Sequence, residues 1–264
     1  MEKIYNGLTY TNEEMSGGEA IMETIKSMDT VDRIIEAANS FYKVLQEDKN
    51  ARFRSWEHCY KSFHDARNKV AVDHDYLCLQ LAFYLASWGM YRGSSFLLKK
   101  DYKVHEPVVK ELLDSKYDCL SGLECKLLRE KEVQKRLEEL VDFMVDYYDK
   151  IRMGVKKNEV KKKPSPTLIT KILMGTLGCA PAYDRYFTES VKELKVATGL
   201  YDIKSLVNSL IRLENFYDDN NNYERLEKAR QKFKVSDNLE YPQMKLLDMA
   251  FWEIGFEKAQ ILES

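Results

Sequence analysis

No proline occurs before residue 107, and the whole chain holds only five, at 107, 164, 166, 181 and 242. Proline breaks a helix because it lacks the backbone N–H and its ring clashes with the preceding turn, so long uninterrupted helices are open to most of this sequence. The apolar residues use that freedom. Leu137, Leu140, Val141, Met144, Tyr148 and Ile151 recur at three- and four-residue steps, which puts them on one helical face. No run of alternating apolar and polar residues marks a strand. The expected fold is therefore an all-α, multi-helix globule, with helices over 31–46, 51–69, 122–152, 166–177, 182–197, 203–217, 222–234 and 242–255 and an apolar one starting near Asp75. The cluster Asp48, Lys49, Asn50 is suited to cap the second of these, Pro166 to occupy the first turn of another, and Asp219 to Asn222 to turn the chain.

A chain of 264 residues is long enough to bury a continuous core without disulfides. No repeat of fixed period is present, and KKNEVKKKPSP is the clearest linker. The reading is one helical domain over 1–264, or two halves, 1–154 and 164–264, joined by a basic linker at 155–163 with a cleft between them.

Charge narrows the classes of partner. Forty-one basic against forty-three acidic side chains leave a net charge of −2, so nucleic-acid binding requires a local patch. Lys161, Lys162 and Lys163, with Lys150, Arg152, Lys156 and Lys157, and further upstream Arg52, Arg54, Lys61, Arg67 and Lys69, offer one; a solvated lysine-rich linker is the alternative. The five cysteines are odd in number and have no CxxC spacing, which fits a reducing, cytoplasmic compartment. The start of the chain lacks the features of a signal peptide. The longest apolar stretch, Leu77 to Tyr91, contains Gln80, is followed by Arg92, and reads as a buried helix rather than a membrane anchor. His58, His64, His74 and His105 have no metal-ligand spacing, and no metal or other cofactor is expected.

Two glycine-containing blocks carry the candidate chemistry. In the first, TLITKILMGTLGCAPAYDRYF, Gly175 and Gly178 stand at a corner between an apolar helix and the next helix start, where backbone amides can hold a phosphate; a tight connection without a ligand is the plainer reading. Asp184 follows, flanked by Tyr183, Arg185 and Tyr186. It can serve as an ionised acid in a site or as a helix N-terminal carboxylate. In the second block, LASWGMYRGSSFLL, Trp88 and Tyr91 can line a pocket for a planar base with Arg92 at its rim, or build a core helix packed through small residues. A terminal helix, YPQMKLLDMAFWEIGF, closes the core, with Lys245 and Asp248 as a local ion pair.

Leu173, Gly175, Gly178 and Ala182 followed by Asp184 resemble, over about twenty residues, the hairpin and downstream aspartate of the helix-hairpin-helix DNA glycosylase superfamily. The chain also resembles bacterial proteins that carry similar LASWGMYRGSSFLL and GTLGCxPAYDRYF blocks, a likeness that brings no activity with it. The glycosylase resemblance implies DNA as the partner and excision of a damaged or modified base, hypermodified cytosine in phage DNA being one such substrate. Asp184 would stabilise the cationic sugar or activate water, and Lys171 could approach the same pocket as an amine nucleophile. Arg185, Tyr183 and Tyr186 would contact phosphate or stack on the extruded base. A second resemblance is in spacing alone: Arg52-x5-His58 is similar to the helical HEPN ribonucleases. A noncatalytic binding or inhibitor module with a protein partner is the third reading.

Overall fold

The computed structural model describes residues 3–5, 8–10, 29–155, 164–200 and 202–263. It is 71% helical, so the all-α class holds. In chain order the helices are α1 (Thr30–Glu47), α2 (Arg54–Ala66), α3 (His74–Ser87), α4 (Glu106–Leu112), α5 (Lys131–Val155), α6 (Pro166–Thr176), α7 (Arg185–Glu193), α8 (Leu206–Tyr217), α9 (Tyr223–Arg230) and α10 (Gln243–Glu263), with short 3-10 turns between several of them. Two small antiparallel hairpins accompany them: β1 (Lys3–Tyr5) with β2 (Leu8–Tyr10), and β3 (Lys234–Ser236) with β4 (Leu239–Glu240). The second hairpin was not expected from a sequence with no clear alternation. It is only two to three residues deep, too short for a period of two to register.

The elements follow their side chains. Leu137, Leu140, Val141, Met144 and Tyr148 are buried along α5, the face anticipated from their spacing, with Val133 extending it and Ile151 only half-buried. Pro166 opens α6 behind Ser165, whose hydroxyl accepts the Leu168 N–H. The polar cluster at 48–50 does something else: Asp48 ends α1 and accepts from Asn50 N–H, while α2 begins only at Arg54, after Phe53, without a side-chain cap. Helix α3 also departs from expectation. It stops at Ser87, leaving Trp88 to Tyr91 outside it, and it exposes Tyr76, Leu79 and Phe83 along one side instead of burying itself all round.

Helix α10 is the centre of the molecule. Every residue from Gln243 to Gly255 is buried, mostly apolar side chains with Lys245, Asp248 and Glu253 among them. It packs on α1 on one flank and on α7 on the other. Gly255 makes the second contact possible: a Cβ there would lie 2.4 Å from the Tyr186 carbonyl oxygen of α7. Helix α6 packs against α2 and α3, so segments on either side of the lysine-rich stretch share one buried cluster. Residues 156–163 lie outside the described residues, and with them Lys161, Lys162 and Lys163.

Candidate functional site

Three helix ends converge to build the site. The first is the C-terminus of α3, where Gly89 adopts a φ of +75°, and Gly89 N–H and Met90 N–H return to the carbonyls of Ala86 and Leu85. This is a Schellman cap, which needs a left-handed residue just past the helix and so selects glycine. The cap leaves the Trp88 carbonyl pointing away from the helix ladder, where the Lys171 ammonium donates to it at 2.8 Å. The lysine also lies 5.5 Å from the centre of the Trp88 ring.

The second end is the N-terminus of α7. Asp184 is its N-cap, accepting the Phe187 N–H on Oδ1, while Oδ2 lies 3.5 Å from Lys171 Nζ. Both of the sequence's readings of this aspartate thus meet in one residue: it is a helix cap and a partner of Lys171. Lys171 is 4% exposed, whereas the Asp184 side chain retains 16% exposure and is the more open member of the pair. Burial lowers the Lys171 amine below its usual range against the opposing pull of Asp184 and Asp248. Burial likewise raises the Asp184 carboxyl, opposed by Lys171 and the Phe187 amide and assisted by Asp248. Each member therefore holds its charge less firmly than it would in water.

Beneath this pair lies a second, from the first turn of α10. Lys245 Nζ contacts Asp248 Oδ2 at 2.8 Å, and Asp248 Oδ1 accepts the Ala182 N–H at 2.8 Å. The two residues are 2% and 6% exposed. Lys245 is walled by aromatic faces, with its ammonium 4.8 Å from Trp56, 5.3 Å from Phe41 and 5.6 Å from Trp88. Its neighbour Trp88 has a buried indole N–H with no acceptor.

The other residues singled out from the sequence are distributed as follows. Gly175 is buried where α6 crosses α3, and a Cβ on it would meet the Tyr84 ring at 2.3 Å. Gly178 has a φ of +65° and packs against Pro242 and Tyr60. The amides of Leu177, Gly178, Ala182, Tyr183 and Asp184 all donate within the protein, so the corner that looked able to hold a phosphate commits these donors internally. Tyr183, expected to stack on a base, instead turns into the core, 4% exposed, with its hydroxyl donating to Ser209. The Tyr91 hydroxyl is bonded to His105 at 2.7 Å, and the other His105 nitrogen to Tyr148 at 2.6 Å, a direction set by the cap that releases residues 88–91 from α3. Arg92 and Arg185 are exposed, and Tyr186 is half-buried against Trp252 and Phe256.

The ribonuclease-like spacing is divided between two elements. Arg52 lies in the turn before α2 and His58 on an exposed face of it, while Arg54 is held by Glu57 and the Leu45 carbonyl. Among the described residues no cluster of three or more His, Cys, Asp or Glu could hold a metal ion, and no helix is long and apolar enough to cross a membrane. The five cysteines are free thiols.

The Lys245–Asp248 ion pair read from the sequence is present, whereas nothing in the sequence singled out Phe53, Phe256 or Trp252. One signal was readable: Trp-Gly-Met directly after an apolar helix is the pattern of a glycine cap with an apolar residue beyond it. Compared with protein-family models, with curated proteins and with solved structures, the chain matches none, so what this site can do rests on its own residues.

Proposed function

We propose that the protein is a nucleic-acid-processing enzyme that cleaves an N-glycosidic bond, releasing a damaged or modified base from DNA, with Asp184 as the catalytic carboxylate. The observation that carries this reading is the Lys171–Asp184 contact of 3.5 Å in a largely desolvated setting beside the half-buried Trp88. As a base departs, positive charge develops on the sugar, and a pre-positioned carboxylate stabilises that charge most where water is scarce. The raised proton affinity of Asp184 also suits it to take a proton from an attacking water. Lys171 orients the carboxylate and balances its charge in the resting site. Trp88 offers a partly exposed aromatic surface, which suits a planar ligand such as an unstacked base. Hypermodified cytosine of phage DNA belongs among the substrates to be tried.

The test is base release from a panel of duplex and single-stranded DNAs carrying damaged or hypermodified bases, read as alkali-labile abasic sites, with wild type and Asp184→Asn side by side. Asparagine keeps the cap acceptor for Phe187 N–H, so the variant is expected to fold and to lose at least a hundredfold in rate, the order that general acid–base catalysis supplies. Equal release by the folded variant would remove Asp184 from the chemistry. Absence of release from the whole panel would count against base excision.

A further inference from the structure

Three exposed arginines that are far apart in sequence border one aromatic surface. The Arg52 guanidinium carbon lies 4.9 Å over the Phe53 ring, and that of Arg185 4.8 Å over Tyr186. Arg92 folds back on Gly89, so closely that a Cβ there would be 3.0 Å from its Nε; this fixes its guanidinium one residue from Trp88. The three rings belong together. Phe53 and Trp88 are 5.3 Å apart, and the buried Trp252 meets Phe53 at 5.4 Å, Trp88 at 5.7 Å and Tyr186 at 5.6 Å. Phe53, Trp88 and Tyr186 remain partly exposed above it.

Arg52 and Arg92 differ in this from arginines that pair with an acid close by. Arg54, Arg67, Arg136 and Arg230 are each ion-paired with a nearby acid. Arg52 and Arg92 make no ion pair with any described residue, and Asp184 is engaged with Lys171 and the Phe187 amide. A positive rim over a floor of partly exposed rings is complementary to a nucleic-acid strand, whose phosphates are negative and whose bases have flat apolar faces.

We infer that Arg52, Arg92 and Arg185 form a phosphate-binding rim, and Phe53, Trp88 and Tyr186 a stacking floor, for a locally unpaired DNA strand whose target nucleotide enters beside Asp184. The inference rests on the proposed base excision for its biological meaning but not for its test. The rim holds the phosphates flanking the target nucleotide, contacts that position the strand without reading its sequence. The rings accept unstacked bases of any identity, so the surface selects unpaired over paired DNA.

The test is fluorescence anisotropy with labelled single-stranded and duplex oligonucleotides of one sequence, across a series of salt concentrations. Wild type is expected to prefer the single strand. Arg52→Gln, Arg92→Gln and Arg185→Gln should each flatten the plot of log affinity against log salt by about 0.7, the contribution of one neutralised phosphate on a single strand. The triple variant should bind at least tenfold more weakly, while Arg212→Gln, an exposed arginine of α8, retains binding. All these arginines are exposed, so circular dichroism should show the variants folded. Wild-type slope and affinity in the folded triple variant, or no binding of either DNA by wild type, would overturn the rim. Base release that ignores the rim would overturn this inference and leave the enzyme reading intact; rim-dependent binding without base release would do the reverse.

Discussion

Replacing Asp248 with asparagine removes one charge from the centre of the molecule and almost nothing else. Asparagine has the same shape, and its carbonyl can still accept the Ala182 N–H that Asp248 Oδ1 accepts at 2.8 Å. What is lost is the counter-charge for Lys245, whose ammonium sits 2.8 Å from Oδ2 and is 2% exposed. Breaking a buried ion pair by neutralising one partner costs about 3–5 kcal/mol, because the other charge stays desolvated. The Phe41, Trp56 and Trp88 faces surround Lys245 in wild type and variant alike and so leave this difference unchanged. The expectation for Asp248→Asn is a loss of about 3–5 kcal/mol. Adding Lys245→Met should recover most of it, since methionine follows the path of the lysine stem with no charge to strand. Urea unfolding measures the effect as a shift of midpoint at constant slope, and the two single variants with the double close a thermodynamic cycle. The reasoning fails if Asp248→Asn costs under about 1 kcal/mol, or if the double variant loses the sum of the two singles, for then the charges are not coupled.

Two pH dependences follow from buried titrating groups. Burial lowers the His105 imidazole from 6.5 to about 4, so between those values the unfolded chain binds a proton that the folded one refuses. Its contribution to stability is complete above pH 6.5 and declines toward pH 4, by at most about 1.4 kcal/mol per pH unit; His105→Gln should flatten this acid limb in urea unfolding at stepped pH. Glu253 works in the opposite sense. Burial, with Glu257 one turn away, raises its carboxyl from 4.5 to about 8, so the folded state holds the extra proton and stability falls as pH rises through that interval. Glu253→Gln should therefore be more stable than wild type at pH 8 and equal to it near pH 4, and a variant less stable than wild type at pH 8 would contradict the buried, protonated carboxyl.

Legibility tracked the range of the interactions. The face of α5, the proline start of α6 and the turn at 219–222 each depend on residues within a few positions of one another, and each was read correctly. The end of α3 was misjudged because apolar character runs on through Trp88, Met90 and Tyr91, while the cap depends on one left-handed glycine. The neighbourhood of Lys171 and Asp184 was an implication of the glycosylase resemblance, which fixed no distance between them. Gly175 and Gly178 left a ligand cradle and a tight connection both open in the sequence; their neighbours Tyr84, Pro242 and Tyr60, all distant along the chain, show them packed.

Composition and periodicity by themselves determined an all-helical chain with a solvated outer surface and an apolar interior, because helix formation answers to local sterics and to apolar side chains recurring about every turn. Only the tertiary structure decided which charges share the interior and which rings meet. Lys171 with Asp184, the burial of the Lys245–Asp248 pair and the assembly of Phe53, Trp88, Tyr186 and Trp252 depend on how α10 is enclosed by α1 and α7. Helix packing of that kind is set by the joint fit of many side chains, and no short segment carries enough of it to be read alone.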